Sequence, residues 1–305
     1  MKNPVLSTLA VILALSIAAS CKDGELSTKC TFKELPSPPH TRQALAGGIN
    51  DSGAIVGTLQ KLAAVGSLNG FLLFHGKLTQ FNFPGASGTD ALAIDNHGQI
   101  VGTYRAGDPN DRIVHGFTVH SGGFRNIDIP GAFATEALGI NDAGDISGWT
   151  ELSDATFHGF LMHRGHLRII SFPGAFQTFA LGINNHGDIV GIYILQIASN
   201  IDELHGFLLK DGIFRTIDFP GGSATSVNAI NDAGDLVGSY GDNRGTSHGF
   251  SFARGTFTTI DVPDRMDTIL NGINNHGQVI AGTRDINFAT RVSEGTCRFS
   301  EEDKD

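Results

Sequence analysis

Apolar and polar positions alternate along this chain in a pattern that returns six times. Its clearest copy is Gly182-Ile183-Asn184-Asn185-His186-Gly187-Asp188-Ile189-Val190-Gly191: a short apolar strand, a polar turn closing on glycine, then a second apolar strand. Related copies begin at Gly48, Ala93, Gly139, Ala229 and Gly272. Anchored on Ile49, Ile94, Ile140, Ile183, Ile230 and Ile273, they are spaced by 45, 46, 43, 47 and 43 residues. Periods of this length mark solenoids, arrays or propellers.

Each period reads as strand throughout. A first strand T-x-A-x-G-I ends in the N-x-x-G turn, and a second leaves it, as in Gln99 to Tyr104. After a variable hairpin comes H-G-F, as at His115-Gly116-Phe117 and His205-Gly206-Phe207. A fourth strand ends in I-D-x-P-G, as at Ile127 to Gly131 and Ile217 to Gly221. Four short antiparallel strands with their turns fill such a period. The predicted fold is therefore all-β: a six-bladed β-propeller of four-stranded antiparallel blades.

The chain ends bear on closure. After Ile273 only 32 residues remain (305 − 273), and the I-D-x-P strand is missing. Cys30-Thr31-Phe32-Lys33-Glu34-Leu35-Pro36 is an unmatched strand ahead of the first repeat. We expect this N-terminal strand to complete the last blade and close the ring, leaving no exposed edge.

The first residues have a different pattern. Lys2 precedes an apolar run from Val5 to Ala19, too short for a transmembrane helix and followed at once by small residues, which reads as an export signal. The expected organisation is a signal peptide (1–20), a short linker (21–29), the propeller (30–298) and an acidic tail (299–305). Ala18-Ala19-Ser20-Cys21 allows cleavage after Ser20, or a lipobox in which Cys21 carries lipid. The protein is thus expected at the cell envelope or outside the cell, touching a membrane only through that lipid. Three cysteines leave an odd one after any pairing. With Cys21 lipidated, Cys30 and Cys297 remain for a disulfide joining the strands expected to meet at the closure.

Composition adds little more. Forty glycines and 17% charged residues suit a turn-rich β protein. A formal charge of −10 argues against nucleic acid or an anionic membrane surface as partner.

The G-I-N-x-x-G-x-I-V-G, H-G-F and I-D-x-P-G-A elements, recurring in order over about residues 40 to 285, resemble the bacterial extracellular HAF-repeat family. This chain has H-G-F where the family name suggests a central alanine. The resemblance implies an exported, propeller-like repeat protein and carries no particular reaction.

Several residues are candidates for chemistry. His97, His186 and His276 stand in alternate turns, while the other copies carry Asp51, Asp142 and Asp232 one position earlier. Three histidines suggest zinc, yet turn tips on alternate blades lie too far apart for bonds of about 2 Å; duplication of a two-blade unit explains the alternation. His115, His158, His205 and His248, with Asn69 in the first copy, are expected to satisfy backbone groups or bond a neighbouring blade. Asp128, Asp218 and Asp261, with Asn82 and Ser171, suit turn or inter-blade acceptors. On the innermost strands Asp90 and Glu136 break the repeat, as do Asn228 and Asn271 in a slot held by Leu92, Leu138 and Leu181 elsewhere. Such oxygen ligands near a central channel suit calcium, although the carboxylates and amides fall on opposite sides of the ring. Tyr104, Tyr193 and Tyr240 share one repeat position, and Trp149 lies one residue short of it. They cap a strand or form a sugar-binding face.

No Ser-His-Asp order, H-E-x-x-H, P-loop or dinucleotide fingerprint is present. The functional expectation is a monomeric envelope binding or scaffold module for a protein or glycan, without a required cofactor, met by the face bearing the second-to-third-strand hairpins and the P-G-A connectors. The competing classes are a metal-dependent lactonase or esterase and a carbohydrate-active protein.

Overall fold

Every turn in the repeat is closed by its own first side chain. Asn50 Oδ1 accepts the backbone N–H groups of Ser52 and Ala54 at 3.1 and 3.0 Å, and Gly53 takes a φ of 75° that a side chain would resist. Asp95, Asn141, Asn184, Asn231 and Asn274 do the same in the later copies. These turns are seen in a computed structural model that describes residues 29–35, 41–61, 68–107, 113–198, 201–285 and 290–298. The signal peptide, Cys21 and the acidic tail lie outside the described residues.

Each turn joins two strands of an antiparallel meander. The first repeat contains β2 (Thr41–Ile49), β3 (Ile55–Lys61), β4 (Leu68–Phe74) and β5 (Lys77–Phe81); the second contains β6 (Ala86–Ile94), β7 (Ile100–Ala106), β8 (Val114–His120) and β9 (Gly123–Ile127). The third has β10 (Ala132–Ile140), β11 (Ile146–Leu152), β12 (Phe157–His163) and β13 (His166–Ile170); the fourth has β14 (Gln177–Ile183), β15 (Ile189–Ala198), β16 (Ile201–Lys210) and β17 (Ile213–Ile217). One parallel pairing, Phe157 with Gln177, joins these two meanders into an eight-stranded sheet. The fifth has β18 (Ser223–Ile230), β19 (Leu236–Gly241), β20 (Ser247–Ala253) and β21 (Thr256–Thr259). The last repeat supplies β22 (Asp267–Ile273), β23 (Gln278–Arg284) and β24 (Thr290–Arg298), and β1 (Lys29–Glu34) pairs antiparallel with β24 as its fourth strand. The protein is an all-β β-propeller with antiparallel blades.

The core lies between sheets. Val56 of the first repeat packs with Ala91, Ile94 and Phe117 of the second, and Val190 of the fourth packs with Val227 and Phe250 of the fifth. The H-G-F phenylalanines Phe117, Phe160, Phe207 and Phe250 are fully buried, each removal from water contributing about 2–3 kcal/mol. The second-strand glycine makes room for this packing: a Cβ on Gly191 would lie 1.9 Å from the Phe179 carbonyl oxygen and 3.0 Å from the Phe207 ring.

Cys30 and Cys297 face each other in the β1–β24 ladder and are disulfide-bonded across a separation of 267 residues. Glu34, at the end of β1, pairs with Arg265 and with Arg291. The expected strand exchange and its covalent clasp are therefore both present.

Candidate ligand-binding site

Two series that the sequence presents separately form one. His115 Nδ1 meets Asp128 Oδ2 at 2.9 Å, His205 meets Asp218 at 2.8 Å, and His248 meets Asp261 at 2.7 Å. His158 pairs with Ser171 Oγ at 2.9 Å, and Asn82 donates to Asn69 Oδ1 at 2.7 Å. In every case the partners are 13 residues apart. The pairing joins the third strand of a blade to the end of its own fourth strand, so these histidines bond within their blade rather than across to the next.

The tyrosines hold the imidazoles in place. Tyr104 stacks on Phe83 at 3.7 Å and lies 5.0 Å from His115; Tyr193 does so with Phe172 (3.6 Å) and His205 (5.1 Å), and Tyr240 with Phe219 (3.7 Å) and His248 (5.3 Å). Their hydroxyls bond to Asn126, Thr216 and Thr259 on the outer strand of the same blade. Tyr104 and Tyr193 are buried and Tyr240 half-buried. The structure thus places them behind the histidines as packing.

Between the fourth and fifth blades the His205–Asp218 pair opens on a cavity of about 440 Å³, whose walls include Glu203, Leu204, Ser223 and Thr225. Glu203 Oε2 lies 3.6 Å from His205 Nε2. That nitrogen is buried and has no hydrogen-bond partner among the described residues. Ala224, in the connector lining the cavity, adopts a left-handed φ of 50°. The connector position of Ser223 holds Phe133, Phe176 and Met266 in other blades, 50%, 47% and 42% exposed. Each of these three large apolar side chains follows the acceptor of a histidine pair by five residues: Phe133 after Asp128, Phe176 after Ser171 and Met266 after Asp261. The sequence showed them as P-G-A-F at Pro130 and Pro173, but nothing in the pattern separated an exposed Phe from a core one.

The central channel receives the other predicted residues without uniting them. Leu92, Leu138 and Leu181 line it with Asn228 and Asn271 around a cavity of about 100 Å³. Asn228 Nδ2 donates to the Leu270 carbonyl at 2.8 Å, and Asn271 Nδ2 to that of Ala46 at 3.4 Å, so both tie one inner strand to the next. Asp90 and Glu136 stand two residues earlier in their strands than Leu92 and Leu138, with Arg105 Nη1 3.6 Å from Asp90 and Trp149 Nε1 donating to Glu136 at 3.1 Å. Burial raises both carboxyls above the usual range, more than Thr58 and Arg105 lower Asp90 or Trp149 lowers Glu136; the charge on Asp90 adds to the rise at Glu136. Among the described residues no three His, Cys, Asp or Glu side chains converge as a metal-binding group.

At the opposite mouth the alternation of turn residues has a geometric meaning. Asn96 Nδ2 donates to Oδ2 of both Asp51 and Asp142 at 2.9 Å; Asn185 does so to Asp142 and Asp232, and Asn275 to Asp51 and Asp232. The six side chains thereby form a cycle of alternating carboxylates and amides around a cavity of about 80 Å³. The three histidines of these turns are exposed beside it. Burial alone would raise the Asp142 carboxyl, but hydrogen bonds from Asn96 and Asn185 outweigh it and hold the group below its ordinary value. A depressed carboxylate stabilises the fold above its unfolded pKa of about 3.9, and that contribution is lost as pH falls through the folded pKa. Wild-type stability should therefore fall below pH about 4, and the acid loss should be shallower in Asp142→Asn. Equal denaturant-midpoint profiles for the two proteins would remove the cycle as its source.

No protein-family model matches the sequence, and no curated protein matches it. Solved structures do match the fold. Aleuria aurantia lectin, described as a six-bladed β-propeller with a novel fucose recognition mode, aligns with a TM-score of 0.52 at 12% identity, covering 84% of this chain and 91% of the lectin. A mutant of AofleA from Arthrobotrys oligospora aligns at 0.52 and 12%, covering 87% and 85%. TolB from Acinetobacter baumannii aligns at 0.54 and 9%, covering 81% of this chain and 65% of TolB. At such identities the likeness is one of fold, and it defines the class: a β-propeller.

Proposed function

We propose that this protein is an exported, six-bladed propeller, closed by its N-terminal strand, that binds glycans in the clefts between its blades. The observation that carries the binding reading is the repeated cleft. An oriented imidazole, paired to a carboxylate at His115–Asp128 and His248–Asp261 and to a hydroxyl at His158–Ser171, is followed on the connector by an exposed Phe133, Met266 or Phe176, and the His205–Asp218 pair lines a cavity of about 440 Å³. A pyranose presents an apolar C–H face and a polar rim of hydroxyls. It needs an apolar platform and fixed acceptors side by side, within a pocket of roughly 300–1,000 Å³. One of the similar folds, the Aleuria aurantia lectin, is described by its fucose recognition, which agrees with this reading.

Ring closure is supported by the turn cycle, because strict Asp/Asn alternation can close only around an even number of blades. The last repeat bonds back to the first, Asn274 Nδ2 to the Asn50 carbonyl and Asn275 to Asp51. A disulfide suits an oxidising compartment, in keeping with an envelope module of the HAF-repeat type, lipid-anchored through Cys21 or secreted.

A glycan array probed with residues 22–305 tests the binding reading. Phe133→Ala and Phe176→Ala should each weaken the best ligand about five- to tenfold, as expected for losing an aromatic contact of roughly 1–1.5 kcal/mol. Melting temperatures should not change, since both rings are exposed. Binding unaffected by both substitutions, or absent from the array, would sink the proposal.

A further inference from the structure

One imidazole sits between carboxylates from two different parts of its blade. His248, near the start of β20, has Asp261 Oδ2 2.7 Å from Nδ1 and Asp242 Oδ2 3.6 Å from Nε2. Asp261 follows β21 and also accepts the Gly249 N–H at 3.2 Å, so it belongs to the body of the sheet. Asp242 belongs to the hairpin after β19, where its other oxygen accepts the N–H groups of Arg244 and Thr246 at 2.8 Å each. A charged imidazole hydrogen-bonds the first carboxylate and attracts the second, tying hairpin to sheet. Its other neighbours are the Tyr240 ring, 5.3 Å away, and Asp267 of the next blade, which accepts the Ser247 N–H at 3.0 Å and pairs with Arg284.

Only the cation can hold both sides. A neutral imidazole keeps one N–H, and the other nitrogen then turns a lone pair toward a carboxylate. The shorter contact, to Asp261, retains the proton, so the hairpin is the partner that is lost. The hydrogen bond to Asp261 first, with Asp242 adding, raises His248 above the ordinary imidazole value against its desolvation. The Thr246 N–H first, then Arg244 and His248, hold Asp242 below the ordinary carboxylate value. A tie made by a raised base is complete below about pH 6.5 and is lost as pH rises through the folded value; one made by a depressed acid is complete above about pH 3.9 and is lost as pH falls through its folded value. The third and fourth blades differ. His158 meets only hydroxyls, Ser171 Oγ at 2.9 Å and Thr156 Oγ1 at 3.1 Å, which donate or accept as the ring requires. Glu203, beside His205, stands opposite Leu195 in the β15–β16 ladder instead of closing a turn.

We propose that the fifth blade carries a proton-operated latch: protonated His248 holds the 242–246 hairpin to the sheet, and loss of that proton lets the hairpin move away. The latch stands where the fifth and sixth blades meet, beside Asp267, and needs no ligand to work. It is independent of the glycan reading.

Hydrogen exchange of residues 22–305, followed by NMR from about pH 5 to about pH 9 and normalised for intrinsic exchange, tests it alongside titration of the His248 ring. Protection of the Arg244 and Thr246 amides should fall about two- to fivefold across the midpoint of that ring, the worth of a partly exposed ion pair. The Thr156 amide, bonded to Asp154 in the third-blade hairpin, should show no such step. In Asp242→Asn, where the new side chain still caps the turn, the ring midpoint should drop and the step should vanish. In His248→Gln the two amides should exchange at the high-pH level throughout. Protection that ignores the ring titration, a step that survives in Asp242→Asn, or low-pH protection retained in His248→Gln would each overturn the latch.

Discussion

Cys297→Ser should melt roughly 10–15 °C below the wild type under non-reducing conditions. The disulfide joins β1 to β24 across 267 residues. Cross-linking so long a loop removes conformational entropy from the unfolded chain worth about 4–5 kcal/mol. For a domain of this size each kcal/mol moves the midpoint by about 2–4 °C. Cys30→Ser should behave alike, and the double variant should be no worse than either, because the three changes remove the same bond. Reductant should bring the wild type down to the variants and leave them where they are. Packing of β1 persists in all of them through its ladder with β24 and the pairing of Glu34 with Arg265 and Arg291. The variants should therefore still fold. A wild type and Cys297→Ser that melt together would show that the ladder alone holds the closure.

The fold was legible because each of its rules is local and repeated. Asn50 and its counterparts cap their own turns, the glycine within the second strand leaves room for a neighbouring carbonyl and ring, and the H-G-F phenylalanine fills the space between sheets. One copy of such a signal is weak, and six in register are not. The clasp was legible for another reason: the missing last strand and the unmatched first one have to meet, and the two cysteines sit in those segments.

The site was less legible because its geometry joins positions that pattern alone keeps apart. Tyr104, Tyr193 and Tyr240 stand where a recognition surface would be sought, yet each is stacked on the phenylalanine before the preceding P-G, Phe83, Phe172 or Phe219. Where that residue is Ile129 or Val262 instead, the tyrosine position holds Thr150 or Thr283. This internal pairing was present in the sequence and marks the tyrosines as core. The fixed interval of 13 between His205 and Asp218, shared by the other pairs, was equally present. Exposure of Phe133 and Phe176 was not, since an aromatic on a short connector can pack inward or stand in solvent without any change in the local pattern. Asp90 and Glu136 were recognised as breaks in the repeat; their partners Arg105 and Trp149 come from adjacent strands and could be named only once register was known.

Asn185→Asp should cost the protein about 2–3 kcal/mol, a midpoint shift of roughly 5–10 °C. Asn185 donates one amide to two carboxylates, Asp142 and Asp232, at 2.9 Å each. Hydrogen bonds to charged groups are worth more than neutral ones, although these lie at the surface and are partly screened. The substitution removes both donors and sets three carboxylates side by side, so the penalty should shrink as pH falls and the new group is protonated. A loss of bulk or backbone strain would show no such pH dependence. The decisive variant exchanges every member of the cycle, adding Asp51→Asn, Asn96→Asp, Asp142→Asn, Asp232→Asn and Asn275→Asp to Asn185→Asp. It restores the alternation with carboxylates and amides trading places, and it should recover much of the lost stability despite carrying six changes instead of one. Recovery would mean that the alternation itself is the stabilising element and that its even period selects the number of blades. A sixfold variant no more stable than Asn185→Asp would mean that each turn stabilises only itself, and that the alternation is merely the mark of a duplicated two-blade unit.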